Sequence, residues 1–442
     1  MVSEMNFNAK HLPSINAGHY KNTAACETEV MPVPDVVKIS MSQQIGAPCK
    51  PLVEKGDKVY VGQLIGDANA FVSAPIHSSV SGTVTGFEVI RALTGGRDTR
   101  IVIETDKQQT LWEGIKPPVI NDLESFVQAV RDSGLTGMGG ASFPAHIKFN
   151  PRNLDEVDTL VVNGAECEPF ITSDHRTMLE STQDIIDGAL AVIKYLNLER
   201  GFIGIESNKS DAIAKLDKLI VEQGITNLKT FKLQARYPKG AERVLIYETT
   251  GRKCDGGMLP ADCGVIVSNV SSIAFLGGFL KDGIPLIRRR VTVDGNAVME
   301  PKNVMVPFGT PLKALIDYCG GYKGEAKKII MGGPMMGRAV YSDNFTLLKN
   351  NNAILAFDEK QALIPEETAC IHCGRCHKAC PFKLLPTEFA DAYKHKDVER
   401  LQMLAIDQCM TCGSCSFICP AHRPLSLINT LAKGLVKEAG KK

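Results

Sequence analysis

The sequence has almost no net charge, no long apolar run and no apolar leader. Its 442 residues carry 50 Lys and Arg against 49 Asp and Glu, a formal charge of +1. That balance lacks the basic footprint of a nucleic-acid-binding protein. No stretch reaches the roughly 18–20 apolar residues of a spanning helix. The most apolar region, 265–280, is interrupted by Ser268, Asn269, Ser271, Ser272 and the Gly277-Gly278 pair. The expectation is a chain with no membrane span of its own. Met1 to Lys10 contains Glu4 and Lys10 and no apolar segment of the signal-peptide kind. The 14 cysteines are therefore expected to stay reduced, and dense spacing among them points to metal chemistry rather than disulfides.

The length is enough for several domains, and the pattern changes along the chain. The first part, 1–115, alternates short apolar runs (Val36–Ile39, Lys58–Val61, Ile101–Ile103) with Gly and Pro turns and reads as β. Leu52 to Ile65, followed by Ala74-Pro75 and Ser81-Gly82-Thr83-Val84, resembles the barrel-sandwich hybrid of lipoyl and biotinyl carriers. Such carriers attach their cofactor to a lysine, yet no lysine lies between Lys58 and Lys107. A swinging arm is excluded, which leaves a structural or docking role. Residues 116–285 alternate helix and strand, including one long helix over 178–196, and predict an α/β domain with a largely parallel sheet. From 286 to 345 the reading is a hairpin around Asp294-Gly295 followed by a helix over 311–318. Residues 360–442 read as helical, with two cysteine islands.

Eight of the cysteines fall in those islands. Cys370, Cys373, Cys376 and Cys380 precede Pro381, and Cys409, Cys412, Cys415 and Cys419 precede Pro420, so both follow C-x2-C-x2-C-x3-C-P. Three thiolates at intervals of three reach three irons of a cuboidal cluster, and the fourth ligates the other cluster of the pair. Cys370, Cys373, Cys376 and Cys419 are thus expected to hold one [4Fe–4S] cluster, and Cys380, Cys409, Cys412 and Cys415 the second. Zinc prefers two C-x2-C pairs separated by a longer loop, which neither island shows. His372, His377 and His422 stand beside the islands. With eight thiolates available, packing or hydrogen bonding to sulfur is their expected role. Cys26, Cys49, Cys167, Cys254, Cys263 and Cys319 are read as small core residues, Cys167 alone lying next to a candidate site.

A glycine-rich loop runs from Gly134 through Gly137, Gly139 and Gly140 to Phe143-Pro144. As G-x-G-x-x-G it fails, because the sixth position is Ser142 and a helix, not a strand, comes before it. By itself it reads equally as a turn or as a place where backbone approaches a phosphate or ring, with Lys148 nearby. The strand over 160–162 runs into Asn163-Gly-Ala-Glu166-Cys-Glu168-Pro, which places acids where open α/β sheets bind ligands. Solvated loop residues are the plain alternative.

Together these segments resemble the flavin and NADH loops of the complex I flavoprotein subunit. Gln44-Ile-Gly-Ala-Pro48, Ala74 to Gly82 and Met331-Gly-Gly-Pro-Met-Met-Gly337 extend the likeness over nearly the whole chain. The family resembled is the RnfC family, the C-type subunits of Rnf complexes, which are ion-translocating ferredoxin:NAD+ oxidoreductases. The fold class this implies is multidomain α/β and β. A barrel-sandwich hybrid is followed by a Rossmann-like flavin/NADH domain, a β-grasp, SLBB-like segment and an α-helical ferredoxin-like domain. The resemblance further implies FMN, two [4Fe–4S] clusters and NAD(H) as substrate. Gly137, Gly139, Gly140 and Lys148 match the flavin loop, and Asn163 and Glu166 match flavin contacts. Phe143 and Glu168 match positions that receive NADH. Tyr237 to Glu242, with Gly240, resembles a further flavin loop, and Asn269 the asparagine beyond it. Met138, Ala165 and Ala241 depart from the complex I family, where Arg, Asp and an acid are common.

Flavin converts two-electron hydride chemistry into single-electron steps, so no catalytic side chain is expected. The implied partners are the other membrane and iron–sulfur subunits of an Rnf-type complex, with ferredoxin engaged indirectly. The implied location is the cytoplasmic face of the cell membrane, bound peripherally. Two other readings are a soluble reductase of the type serving cobalamin enzymes and a non-catalytic ferredoxin adaptor without flavin.

Overall fold

The computed structural model describes residues 11–93 and 95–440. The first unit has two sheets around one apolar core that includes Val37, Ile39, Ile65, Ile76, Ile101 and Ile103. Its spine is the antiparallel pair Gly82–Arg91 and Arg97–Thr105, with Val36–Ser40 and Lys58–Val59 at its flanks.

The α/β unit is a four-stranded parallel sheet. Its order is Leu228–Leu233, Arg200–Glu206, Thr159–Gly164, Val265–Asn269. The middle of the strand Thr159–Gly164, Leu160-Val161-Val162, is apolar and buried because helices pack on the strand. From it the chain builds outward in one direction and then returns to add Val265–Asn269 on the other side. That reversal makes a switch point, and Asn163 and Asn269, register partners at the carboxyl ends, mark it.

The helix expected over 178–196 is in fact two, Ser173–Glu180 and Thr182–Tyr195. Ser181 leaves helical geometry at φ −125°, ψ 35°. The Thr182 hydroxyl bonds back to the Met178 carbonyl at 2.7 Å, a contact that competes with the helical ladder. The second helix packs against Val270–Asp282 through Gly188 and Gly277. A methyl group on either glycine would collide with the facing helix at the carbonyl of Ile273 or Asp184.

The third sheet is mixed and six-stranded. Its central strand Arg288–Asp294 pairs antiparallel with Lys302–Pro307 and parallel with Ala353–Phe357. Thr28–Val30, from ahead of the first unit, adds a parallel strand at one edge. Asp294-Gly295 is not the expected tight hairpin, since Val293 pairs with Lys302 and the connection is long. Gly295, at φ +110°, is required for another reason: the Ala356 carbonyl occupies the place of its side chain.

The last unit is helical. Pro386–Lys394, Val398–Met403 and Leu425–Ala439 enclose Phe389, Leu401 and Ala432. It docks on the α/β unit through Arg243. The guanidinium donates to the Gln408 backbone carbonyl (2.9 Å) and Oε1 (2.6 Å) and lies 4.2 Å from the Phe382 ring.

Candidate functional site

The two islands have the same local backbone. His372 and Gly374 take φ of 52° and 70°, and Thr411 and Gly413 take 53° and 83°. These left-handed turns wrap each loop inward. They also turn the amides of His372 and Thr411 toward Cys370 and Cys409 Sγ, both at 3.4 Å. A short helix follows each turn, Arg375–Ala379 or Ser414–Phe417.

The cysteines then sort across the islands. Cys370, Cys373 and Cys376 line one cavity with Cys419, whereas Cys409, Cys412 and Cys415 line another with Cys380. This is the exchange of fourth ligands that the spacing suggests. Among the described residues no group of three or more His, Cys, Asp or Glu is arranged to hold a single metal ion. Four thiols around a cavity fit a polynuclear cluster. Burial pushes the Cys376, Cys380 and Cys412 thiols up, and Cys415 up to about 12; binding iron as thiolates would release those protons. The set containing Cys373 is the more exposed, and Cys409, Cys412 and Cys415 are buried. His377 is engaged through Nδ1 with the Leu384 carbonyl at 3.1 Å.

Several of the residues matched to flavin and NADH loops lie close to the switch point. Gly137 N donates to Phe143 O at 2.8 Å, closing the glycine-rich loop on itself. Gly139 lies against Asn269, where a β-carbon would stand 3.1 Å from that side chain, and Gly139 and Gly140 are exposed. Asn163 donates to the Gly240 carbonyl at 2.8 Å, and Lys148 lies 3.6 Å from Glu242. Asn269 caps the helix Val270–Asp282 and donates to Asp174 at 2.7 Å.

The two acids are held differently. Glu166 is buried and turns away, accepting the amides of Asp174 (2.6 Å) and His175 (3.2 Å) in the first turn of Ser173–Glu180. Burial keeps its carboxyl above the usual range. Glu168 reaches the 331–337 loop, where the amides of Met335 and Met336 each donate at 2.9 Å. Gly333 is needed there, because a β-carbon would occupy the place of the carboxylate. Burial outweighs those amides and raises Glu168 to about 7.

Sequence reasoning missed the cation that shapes this loop. Lys21 donates to the carbonyls of Glu166 (2.9 Å), Glu168 (2.8 Å) and Ile171 (2.6 Å). Burial, reinforced by Lys209, lowers it to about 8. Lys209 adds a bond to the Ala165 carbonyl at 2.7 Å. The segment carrying Lys21 is fixed by Ile15, which exchanges backbone hydrogen bonds with Tyr237 at 2.8 and 3.0 Å. No local pattern in the sequence signals these contacts.

Tyr237 joins the two chemistries. It is buried, opens the loop that carries Gly240 and Glu242, and donates its hydroxyl to the Cys412 carbonyl at 2.5 Å. Tyr237, Cys412, Cys167 and Met335 share one apolar cluster. The cavity lined by Cys409, Cys412, Cys415 and Cys380 is therefore the one against the flavin-like loops.

Four family descriptions match in chain order. They are an RnfC barrel sandwich hybrid domain at 14–108, a Nuo51 FMN-binding domain at 130–277, an SLBB domain at 290–339 and a 4Fe-4S dicluster domain at 362–420. The chain is 43% identical over 371 residues to the C-type subunit of a proton-translocating ferredoxin:NAD(+) oxidoreductase complex from Clostridium ljungdahlii, covering 83% of this chain and 80% of the relative. It is 40% identical over 361 residues to the corresponding subunit of the Na(+)-translocating complex of Acetobacterium woodii, covering 81% of each. The corresponding subunit of an ion-translocating oxidoreductase complex from Rhodobacter capsulatus is 36% identical over 425 residues, 95% of this chain and 82% of that one.

Proposed function

The chain belongs to the RnfC family, the C-type subunits of ion-translocating ferredoxin:NAD+ oxidoreductase complexes, and from that premise we propose a division of labour among its residues. It is an oxidoreductase subunit that exchanges electrons with NAD(H), using FMN and iron–sulfur clusters. The complex as a whole couples that exchange to ion movement. The observation that carries the assignment is the sorting of eight cysteines around two cavities, one tied to the flavin-like loops by Tyr237.

FMN would be held by the loop of Gly137, Gly139 and Gly140, by Lys148, and by Asn163, Gly240, Glu242 and Asn269 around the switch point. When bound, FMN supplies the conversion between a hydride pair and single electrons. Exposed Gly139 and Gly140 leave backbone open to a ring or phosphate. Lys148, half-buried beside Glu242, places one positive charge at the same rim. Glu166 holds the acidic loop to the helix Ser173–Glu180 and so acts from behind the site. Phe143 and Glu168 are assigned to nicotinamide nucleotide. Glu168 is positioned by the Met335 and Met336 amides. No side chain is assigned as a general base.

The cysteine sets have unequal surroundings. Cys380, Cys409, Cys412 and Cys415 form the inner set. Cys370, Cys373, Cys376 and Cys419 form the outer one, which we assign to exchange with another member of the complex. Among the described residues no helix is long and apolar enough to cross a membrane, and we assign the chain as a peripheral member of its complex. We place it on the cytoplasmic face, where NADH is found.

Anaerobic reconstitution followed by NADH titration, read by visible and paramagnetic-resonance spectra, tests this function. About eight irons per chain, one FMN, and bleaching of flavin and clusters by NADH are expected. A protein with fewer irons, or one whose clusters NADH cannot reduce with FMN present, would refute the path. Iron without flavin absorbance would instead support the adaptor reading.

A further inference from the structure

The glycine-rich loop is gripped from below by side chains to which the family likeness gives no role. Arg289, 2% exposed, donates from Nη2 to the Met138 carbonyl at 3.1 Å and from Nη1 to the Lys349 carbonyl at 2.5 Å. Asn350 donates to the Gly140 carbonyl at 3.2 Å. The buried Lys349 ammonium donates to the carbonyls of Gly134 (2.6 Å) and Pro75 (2.8 Å). Every one of these acceptors is a carbonyl. Among the described residues neither Arg289 nor Lys349 forms an ion pair. Asp174 is the acid whose charge acts on Arg289, and it is already engaged by Asn269 and Ser271.

Burying a cation without a counter-charge is costly, so its position calls for a reason. The peptides 138–139 and 140–141 are trans, the cis bond of the described chain being Tyr237-Pro238. In a trans peptide the carbonyl and the amide point in opposite directions. Pinning the Met138 and Gly140 carbonyls downward therefore turns the amides of Gly139 and Ala141 to the opposite, exposed side. Neither amide has an acceptor among the described residues. Two outward amides backed by a buried guanidinium make this face of the loop favourable to negative charge.

We propose that Arg289, assisted by Asn350, is a positioning residue for the flavin. It fixes the loop so that the Gly139 and Ala141 amides face bound FMN, and its charge favours the electron-rich reduced flavin over the oxidised form. This rests on the FMN assignment above. Arg289 lies 146–155 residues beyond the loop in the chain, on the strand Arg288–Asp294. The SLBB-like sheet thereby becomes part of the flavin site.

The test uses the full-length, cluster-loaded protein stripped of flavin. FMN affinity is measured by fluorescence quenching and the flavin midpoint potential by spectroelectrochemistry. Losing a charge-assisted hydrogen bond that holds the loop lowers the population of the binding-competent loop, and with it the apparent affinity, by roughly tenfold or more. Arg289→Met should therefore weaken FMN binding about tenfold and move the midpoint to more negative values. Arg289→Lys should keep the potential closer to that of the parent while still losing affinity, since it retains charge without the planar fork. Asn350→Ala should weaken binding without moving the potential.

Arg289→Met with its clusters and melting temperature intact, but with unaltered affinity and potential, overturns the proposal. If that variant loses its clusters, Arg289→Lys and Asn350→Ala decide, and parental affinity in both overturns it. A parent protein that takes up no FMN overturns the flavin assignment itself, an outcome distinguishable because all variants would then behave alike.

Discussion

Replacing Tyr237 with Phe removes one oxygen from the joint between the flavin-like loops and the inner cysteine set. The phenol is buried and its hydroxyl meets the Cys412 carbonyl at 2.5 Å. Burial pushes its pKa far above the usual range, so the group remains a donor at every pH where the protein is handled. The ring itself packs with Ile15, Cys167 and Met335 and survives the substitution. The loss is then the hydrogen bond and the desolvation of an acceptor left unmet, about 1–3 kcal/mol. At 1.4 kcal/mol per decade, local opening of the Cys409–Cys415 loop should become roughly 5- to 150-fold more frequent. Amide hydrogen exchange over residues 408–416 reads that opening directly, and stopped-flow mixing with NADH reads its effect on cluster reduction. Iron and FMN content should stay at parental levels. Unchanged exchange protection in this loop, with an unchanged reduction rate, would refute the idea that Tyr237 holds the two sites together.

The crossed cysteine sets predict paired losses. Substituting Cys370 or Cys419 by Ala should remove the same paramagnetic centre, and Cys380 or Cys409 the other; loss of a single common centre by Cys370 and Cys380 would contradict the sorting. Gly188→Ala places a methyl group into the Ile273 carbonyl and should cost about 1–3 kcal/mol, seen as a lower melting temperature, whereas neutrality would mean the two helices are not in contact there. Glu168 supplies a pH test. Its folded pKa of about 7 lies above the ordinary value of 4.5, so the folded state binds the proton more tightly. The acid's contribution is fully present below pH 4.5 and falls by up to about 3 kcal/mol as pH rises through 7. Exchange protection of residues 331–337 should decline over that window in the parent and stay level in Glu168→Gln, and parallel profiles would exclude Glu168 as the titrating group.

The parts legible in the sequence are those whose physics is local. A C-x2-C-x2-C-x3-C-P island reports its chemistry through spacing alone, because the turn geometry needed to present three thiolates is contained in a dozen residues. Apolar runs such as Leu160–Val162 and the helical spacing of Leu123, Phe126 and Val130 revealed the α/β pattern for the same reason. The misreadings were also local. Ser181 carries no strong break signal, and the helix divides there because a threonine hydroxyl and the tertiary surroundings favour it. Asp294-Gly295 has the composition of a tight turn, yet its glycine answers to a carbonyl on a strand some 60 residues away.

What the amino-acid order determined by itself was iron–sulfur ligation, from thiol spacing, and the lack of an arm-bearing lysine in the first unit; the glycine loop and the acidic strand end pointed to flavin only through the family resemblance. The tertiary structure decided which groups act together. It set Lys21 beneath three carbonyls of the acidic loop, bound Tyr237 to Cys412, drew Glu168 to the 331–337 loop and placed Arg289 under the glycine loop. Each of those contacts joins residues more than a hundred positions apart. Their partners are chosen by packing and by the need of buried polar groups for donors and acceptors, a requirement that has no signature in any short stretch of chain.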